Sequence, residues 1–261
     1  MRFGVCAGVD KAELLARLGY DYIELGAAGD LIPDDPNEAA WTERRRQIDA
    51  APLRPEAFNS FVRTGKIVGP DADAARLERY VHIALSRAAQ VGGKVIVFGS
   101  GGARNVPDGF SRDTARSQIL DFLGWCADAH ETTGVVVVVE PLNKTESNVL
   151  NTVGEGAEYV RALNRPGVRN LADTYHMEKD GEPLTAIEES GDVLAHVHTA
   201  DTDRGAPGTG VYDHAALFQT LARAGYDRRV SIECRWDDFE REAERALGHL
   251  RRARTAARDD P

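Results

Sequence analysis

Short runs rich in β-branched residues alternate with longer amphipathic stretches along the whole sequence. Eight runs have strand character, at residues 2–6, 22–25, 54–60, 94–98, 135–139, 168–172, 193–197 and 229–232. The stretches with helical periodicity span residues 10–18, 37–50, 73–91, 112–130, 149–163, 184–189, 213–224 and 239–253. Such alternation predicts parallel strands that are joined by right-handed helical crossovers.

A parallel sheet of this kind either closes into a barrel or stays open with helices on both faces. The count of eight strands favours closure, and no Gly-x-Gly-x-x-Gly motif follows the first strand to indicate a dinucleotide-binding sheet. Residues 135–139 are five consecutive valines, which is typical of a parallel strand buried on both faces. The chain has 261 residues, and one barrel needs roughly 250. We therefore predict an α/β fold, a single (β/α)8 TIM barrel over residues 1–261.

Charge and composition narrow the range of partners. The formal net charge is −10, so the surface should repel nucleic acid. No apolar run approaches the ~18 residues of a membrane span, and the first residues lack the layout of a signal peptide. Three scattered cysteines predict no disulfide framework and a reducing, cytoplasmic compartment. The sequence leaves open whether the chain forms a homo-oligomer.

Polar residues stand at the ends of the last four predicted strands. They follow one another by about one strand–helix unit and are Glu140, Asp173, His198 and Glu233. The active site of a (β/α)8 barrel lies at the carboxyl ends of its strands. Because consecutive strands are neighbours in the barrel, we expect these four side chains to converge at one rim.

Three carboxylates and an imidazole cannot crowd together unless their charge is neutralised. Carboxylates a few ångströms apart raise each other's pKa, and a divalent cation removes this conflict. Oxygen ligands with one nitrogen and no thiolate suit Mn²⁺, Mg²⁺ or Co²⁺ better than a structural zinc. We predict a divalent-metal site, with Mn²⁺ as the first choice, ligated by Glu140, Asp173, His198 and Glu233.

Three further polar residues follow these strand ends. Glu146, His176 and Arg204 come shortly after Glu140, Asp173 and His198, respectively. On rim loops they could hold the hydroxyl and carbonyl oxygens of a small substrate. The alternative interpretation makes Glu146 a solvated loop acid and Arg204 a member of a surface ion pair.

Two other positions allow two interpretations each. The loop at residues 98–104, Phe-Gly-Ser-Gly-Gly-Ala-Arg, either places Arg104 over the substrate or is a tight turn with a solvated arginine. It lacks the Gly-Lys-Ser/Thr ending of a phosphate-binding loop. Glu24 ends the second predicted strand and either contacts the substrate or forms a structural pair.

Several motifs together resemble a known family. They are Glu-Pro-Leu-Asn-Lys-Thr-Glu at 140–146, Asp-Thr-Tyr-His-Met at 173–177, His-Val-His-Thr-Ala-Asp at 196–201, Pro-Gly-Thr-Gly at 207–210 and Ser-Ile-Glu at 231–233. The sequence is similar to the xylose-isomerase-like sugar-phosphate isomerase/epimerase superfamily. Within it, the chain most resembles ketose 3-epimerases of the tagatose/psicose type and hydroxypyruvate isomerases.

The resemblance implies roles for individual residues. It implies that the metal is bound by Glu140, Asp173, His198 and Glu233, and that the substrate is bound by Glu146, His176 and Arg204. The chain departs from the epimerases at Ala200-Asp201, where they have Gly-Glu, and at Pro141. The N-terminal half does not align well enough for its pocket residues to be transferred.

The implied chemistry is proton transfer beside a carbonyl group of a small carbohydrate. A metal stabilises the enediolate, while Glu140 and Glu233 act as two bases, one removing a proton and the other returning one. The main alternative is a metal-dependent lyase or dehydratase that acts on a keto-inositol or 3-keto glycoside. An apurinic endonuclease is disfavoured by the acidic charge, and a non-catalytic barrel by the number of matching polar residues.

Overall fold

Eight parallel strands pair side by side in chain order, and the eighth returns to pair with the first. The structure, a computed structural model, describes residues 1–259. The strands are β1 (Arg2–Cys6), β2 (Tyr22–Gly26), β3 (Pro55–Asn59), β4 (Val95–Phe98), β5 (Val136–Val139), β6 (Val168–Asp173), β7 (Leu194–Thr199) and β8 (Arg229–Ile232). The closed barrel confirms the predicted α/β class and the (β/α)8 TIM-barrel architecture.

Helices surround the barrel. They are α1 (Ala12–Leu18), α2 (Glu38–Ala50), α3 (Ala74–Gln90), α4 (Gly101–Arg104), α5 (Arg112–Thr133), α6 (Val153–Leu163), α7 (Thr174–Asp180), α8 (Thr185–Glu189), α9 (His214–Arg223) and α10 (Phe239–Asp259). Short helical turns occur at Val9–Lys11, Ala27–Leu31 and Thr202–Arg204. Within residues 1–259, no helix has both the length and the apolar character that crossing a membrane would require.

Side-chain caps explain where the main helices begin. The residue before each of five helices accepts a hydrogen bond from a backbone N–H of the first turn, which satisfies a donor that lacks a partner within the helix. These caps are Asn37, Asp73, Ser111, Thr152 and Asp213. Four of the caps lie at or next to a boundary that the periodicity predicts. Thr152 lies three residues after the predicted start at residue 149, so here the cap and not the periodicity marks where the helix begins.

The valines of β5 divide between two apolar layers. Val138 belongs to a small cluster inside the barrel, together with Tyr22 and Leu171. Val137 and Val139 belong to the larger core between the strands and the surrounding helices. This division is what a strand buried on both faces requires, and it accounts for the uninterrupted valine run.

Some elements differ from the predicted ones because the local sequence carries little periodicity. Asp173 ends β6 and also caps α7, so no loop separates the two elements. Helices α4 and α7 have four and seven residues, which is too short for a clear apolar pattern. Helix α10 continues to Asp259, past the predicted end at residue 253. The predicted single domain also includes residues 260–261, which lie outside the described residues.

Arg104 corrects both interpretations of the loop at residues 98–104. Its side chain is fully buried, so it is neither solvated nor placed over a substrate. The guanidinium donates hydrogen bonds to the carbonyl oxygens of Phe98, Glu140 and Leu150 at 3.1, 2.9 and 3.2 Å. Burial lowers the pKa of Arg104 to about 10, so the group stays charged at neutral pH. It therefore ties the ends of β4 and β5 to the loop that follows β5.

Replacing this arginine should destabilise the fold. Arg104→Met removes one donor from each of three carbonyl oxygens, of which those of Phe98 and Leu150 keep a backbone N–H. We expect the free energy of unfolding to fall by about 3 kcal/mol. Urea denaturation of the purified protein measures this change. The control is Arg112→Met, because Arg112 makes one exposed hydrogen bond to the carbonyl of Asn148 and should change stability by less than about 0.5 kcal/mol. Equal losses in both variants would contradict the structural role of Arg104.

Candidate metal and active site

Four polar side chains meet at the carboxyl end of the barrel. Glu140 directly follows β5, Asp173 ends β6, His198 lies in β7 and Glu233 directly follows β8. Asp173 pairs with His198 in the β6–β7 register, and the backbone N–H of Glu233 donates to the carbonyl of Thr199. One nitrogen or oxygen atom from each of the four side chains lies within 4.8 Å of the other three. The strand register thus brings together the four residues that were predicted as ligands.

His198 lies at the centre of this group. Its Nδ1 atom is 3.2 Å from Glu140 Oε1, 3.3 Å from Glu233 Oε2 and 3.8 Å from Asp173 Oδ2. Burial lowers the pKa of His198, but the negative charge of Glu24 and of the other acids outweighs burial and raises it well above its usual value. One imidazole is therefore surrounded by carboxylate oxygens on its Nδ1 side.

The carboxyl group of Asp173 has room for a further partner. Its Oδ1 atom accepts hydrogen bonds from the backbone N–H groups of Tyr175 and His176 at 2.7 and 3.4 Å. Its Oδ2 atom is buried and has no hydrogen-bond partner among the described residues. Burial, followed by the negative charges of Glu233 and Glu140, raises the pKa of Asp173 to about 6 against the opposing effect of His176. A buried, unpartnered oxygen beside two carboxylates and an imidazole fits a divalent cation.

Gly99 makes room for one of these carboxylates. A Cβ atom at this position would overlap Oε2 of Glu140. The residue directly after β4 therefore has to be glycine for the Glu140 side chain to keep its direction. Gly99 of the glycine-rich sequence at 98–104 thus serves the site by leaving space for Glu140.

The three predicted substrate residues lie around the group of four. Arg204 donates to Glu233 Oε2 at 2.9 Å and lies 3.8 Å from Glu146 Oε1. Its guanidinium also stacks over the ring of Tyr175, 4.7 Å from the ring centre. His176 is buried, and its Nε2 atom is 3.9 Å from Asp173 Oδ2. The Glu146 side chain is 40% exposed and has the guanidinium of Arg204 as a charged neighbour. Glu146 is therefore not simply a solvated loop acid.

Asp201 holds the loop that carries Arg204, a role that the sequence did not indicate. Its carboxylate accepts hydrogen bonds from the backbone N–H groups of Thr202, Gly208 and Tyr212 at 2.9, 2.7 and 2.9 Å. Burial raises the pKa of Asp201, but these backbone donors outweigh burial and the pKa is lowered. Arg204 itself has a positive φ of 64°, so the loop keeps it in an unfavourable backbone conformation.

A cavity of about 670 Å³ opens beside Glu233 and Arg204. Its wall is formed mainly by the ends of β1, β2 and β3, and by residues close to β8. Residues that line it and were not predicted include Cys6, Asn59, Ser60, Arg63, Tyr175 and Arg235. Cys6 and Asn59 are the last residues of β1 and β3, and Ser60 ends the third predicted strand, so all three carry the strand-end signal. Arg63, Tyr175 and Arg235 offer no such signal, because their place depends on how the loops fold.

Comparison with known proteins identifies the family to which the chain is similar. Residues 12–253 match the family model described as "Xylose isomerase-like TIM barrel". The chain is 34% identical over 158 residues to 3-dehydro-D-guloside 4-epimerase of Escherichia coli, covering 58% of this chain and 60% of that protein. It is 37% identical over 112 residues to a ketose 3-epimerase of Arthrobacter globiformis, covering 42% and 39%. Each match therefore spans less than two thirds of the relative.

A solved structure covers nearly the whole chain. The apo form of 3-keto-D-glucoside 4-epimerase from Escherichia coli superposes with a TM-score of 0.82 at 26% identity, over 97% of this chain and 99% of that chain. The family model spans nearly all of the barrel and confirms the resemblance that the sequence motifs indicated. The chain belongs to the xylose isomerase-like TIM barrel family.

Proposed function

We propose that this protein is a divalent-metal-dependent epimerase or isomerase of a small keto sugar. The observation that carries the proposal is the meeting of Glu140, Asp173, His198 and Glu233 in one group. Glu233 of this group lines an open cavity. The relatives support it, because a ketose 3-epimerase and a 3-dehydro-guloside 4-epimerase both invert a carbon next to a carbonyl group. A carbon in that position loses a proton far more readily than other sugar carbons.

Four residues would hold the metal, which we propose to be Mn²⁺. They supply three carboxylate oxygens and the Nδ1 atom of His198, a donor set that suits Mn²⁺, Mg²⁺ or Co²⁺. When bound, the cation supplies positive charge that stabilises the negative charge developing on the oxygens of the substrate. Asp173 and His198 both place an atom in the four-residue group, so their proposed role is to hold the ion.

Glu140 and Glu233 would move the proton. They follow β5 and β8, so they reach the site from different sides of β6 and β7. One carboxylate removes the proton on one face of the substrate, and the carboxylic acid of the other returns a proton to the opposite face. Return to the same carbon inverts it, whereas return to the neighbouring carbon gives an aldose–ketose isomerisation.

Arg204, His176 and Glu146 would orient the substrate. Arg204 contacts Glu233 and Glu146 and lines the cavity, so it can hold a substrate oxygen against the proposed base. His176 is fixed by Asn143, whose side-chain and backbone nitrogens lie 2.8 and 3.2 Å from its Nδ1 atom. The Nε2 atom of His176 is therefore the one that is left to interact with the substrate.

We propose a reducing, cytoplasmic compartment for the reaction, on the ground that the three cysteines are scattered and free. With a net charge of −10, we propose a small carbohydrate and not nucleic acid as the partner. Whether copies of the chain associate does not enter the proposed chemistry, because all the proposed site residues come from one chain.

Metal removal tests the proposal directly. We expect exchange of the substrate proton with deuterated water, and epimer formation, to fall at least ~100-fold after chelation and to return with Mn²⁺. The assay uses ketoses and 3-keto glycosides, with NMR to follow deuterium and product. Full activity in metal-free protein would refute the proposal. Release of water or of an aglycone instead of an epimer would show the alternative lyase.

Substitution of Glu140 and Glu233 by glutamine tests whether each acts as a base in addition to binding the metal. Glu140→Gln and Glu233→Gln keep one oxygen ligand but remove the base, so we expect turnover to fall ~10²–10⁴-fold even at saturating Mn²⁺. Glu56→Gln is the matched control, because Glu56 pairs with Arg2 and Arg229 at the opposite end of the barrel. Recovery of wild-type turnover at high Mn²⁺ would mean that the glutamate concerned is only a ligand.

A third experiment distinguishes metal ligands from substrate residues. Asp173→Asn and His198→Ala should weaken Mn²⁺ binding, since both side chains contribute to the four-residue group. His176→Ala and Arg204→Ala should leave Mn²⁺ bound but lower kcat/KM, since neither side chain belongs to that group. Calorimetric Mn²⁺ titration and steady-state kinetics measure the two effects. Similar losses of Mn²⁺ affinity in all four variants would contradict this division.

A further inference from the structure

Glu24 is a fully buried carboxylate that has no part in the four-residue group. It lies in β2, opposite Cys6 of β1 in the strand register, and its side chain is 0% exposed. Its Oε1 atom is 2.9 Å from His198 Nε2. Its Oε2 atom is 2.9 Å from His196 Nε2 and accepts a hydrogen bond of 2.5 Å from Ser231 Oγ. A buried carboxylate needs such partners, and here they are two imidazoles and a hydroxyl group.

The contact between Glu24 and His198 determines which nitrogen of the imidazole faces the site. A carboxylate accepts hydrogen bonds, so the Nε2 atom of His198 carries the hydrogen in this contact. Nδ1 also faces carboxylates and carries a second hydrogen in the charged ring. A cation at the proposed site takes the place of that proton, and the lone pair of the neutral ring then belongs to Nδ1. Nδ1 is the atom that lies 3.2 and 3.3 Å from oxygens of Glu140 and Glu233. The contact therefore points the lone pair of His198 at the place where the other three proposed ligands meet.

A second layer of side chains holds Glu24 in its direction. Ser231 Oγ also lies 2.7 Å from the hydroxyl of Tyr22, deeper in the barrel. The ring of Tyr22 occupies the space beside Gly4, where a Cβ atom would overlap it. The ring centres of His196 and His198 lie 5.1 Å apart, and the ring planes are inclined by 77°. Each ring can therefore reach a different oxygen of the Glu24 carboxylate. Residues of β1, β2, β7 and β8 thus fix one carboxylate below the site.

We propose that Glu24 is a positioning residue for the metal centre, which acts through His198 and not on the substrate. The inference rests on the proposed function, because it assigns Nδ1 of His198 as the ligand atom and Glu24 as the group that orients it. Partners of this kind raise the basicity of a ligating imidazole and lock its orientation. Loss of the carboxylate should therefore weaken metal binding without removing any of the four ligands.

Mn²⁺ titration of Glu24 variants tests the proposal. Glu24→Gln keeps an oxygen that can accept from His198 but removes the charge, and we expect the Kd for Mn²⁺ to rise about 10–100-fold. Glu24→Leu also removes the acceptor, and it should raise the Kd further. Glu56→Gln is again the control, since Glu56 is a barrel carboxylate that is paired with arginines far from the site. Electron paramagnetic resonance of free Mn²⁺ gives the Kd without any substrate.

The kinetic result should differ from that of the glutamate bases. At saturating Mn²⁺ we expect Glu24→Gln to recover kcat to within about tenfold of the wild-type value, whereas Glu233→Gln does not recover. An unchanged Kd in both folded Glu24 variants would overturn the inference while leaving the proposed function intact. If the wild-type protein itself binds no Mn²⁺, the proposed function fails as well, so the two failures are distinguishable.

A measurement on the wild-type protein covers the case in which the variants do not fold. With Mg²⁺ bound and histidines labelled with ¹⁵N, we expect His198 to show a protonated Nε2 and an unprotonated Nδ1. The His198→Gln variant identifies the signals that belong to this residue. The opposite tautomer, with hydrogen on Nδ1, would overturn the inference whatever the variants do.

Discussion

The structure depends on how three carboxylates can lie around one imidazole at the end of a closed barrel. Each of the four side chains comes from a different strand end, and backbone pairing between β5, β6, β7 and β8 brings them together. The backbone cannot spread at this point without losing ladder hydrogen bonds. The repulsion between the carboxylates is therefore met locally by Arg204 and by the proton on His198, which the cation of the proposed function would replace.

The barrel interior shows the cost of this arrangement. A barrel of this size is normally filled by apolar side chains, and here Val138, Leu171 and Ala195 form an apolar cluster. Beside this cluster, Glu24, His196 and Ser231 replace apolar packing by hydrogen bonds. Buried polar groups destabilise a fold unless they are paired, so these three residues add less stability than apolar side chains would. Their effect is to hold His198 in position, through the contact between Glu24 and His198.

The sequence predicted the architecture and the four residues of the site because both follow from local patterns. The length and the regular spacing of the strand-like runs predict the eight strands. The residue that ends a parallel strand must then lie at the barrel rim. Glu24, Arg104 and Asp201 were not assigned, because their roles depend on partners far away along the chain. Arg104 shows this best: nothing near it in sequence indicates that it would lie buried against Glu140 and Leu150. The loop residues of the cavity wall, such as Arg63 and Arg235, were missed for the same reason.

The two proposed bases are electrostatically different, and this bears on how they could share a proton. Burial raises the pKa of Glu233, but the hydrogen bond and charge of His198 in its protonated form, together with the charge of Arg204, outweigh burial and lower the pKa to about 2. Glu233 is also partly exposed to the cavity, whereas Glu140 is nearly buried and has Gly99 beside it. A substrate oxygen that takes the hydrogen bond of Arg204 would withdraw that donor from Glu233 and make its carboxylate more basic. Substrate binding and activation of Glu233 would then be one event, because both depend on the same guanidinium.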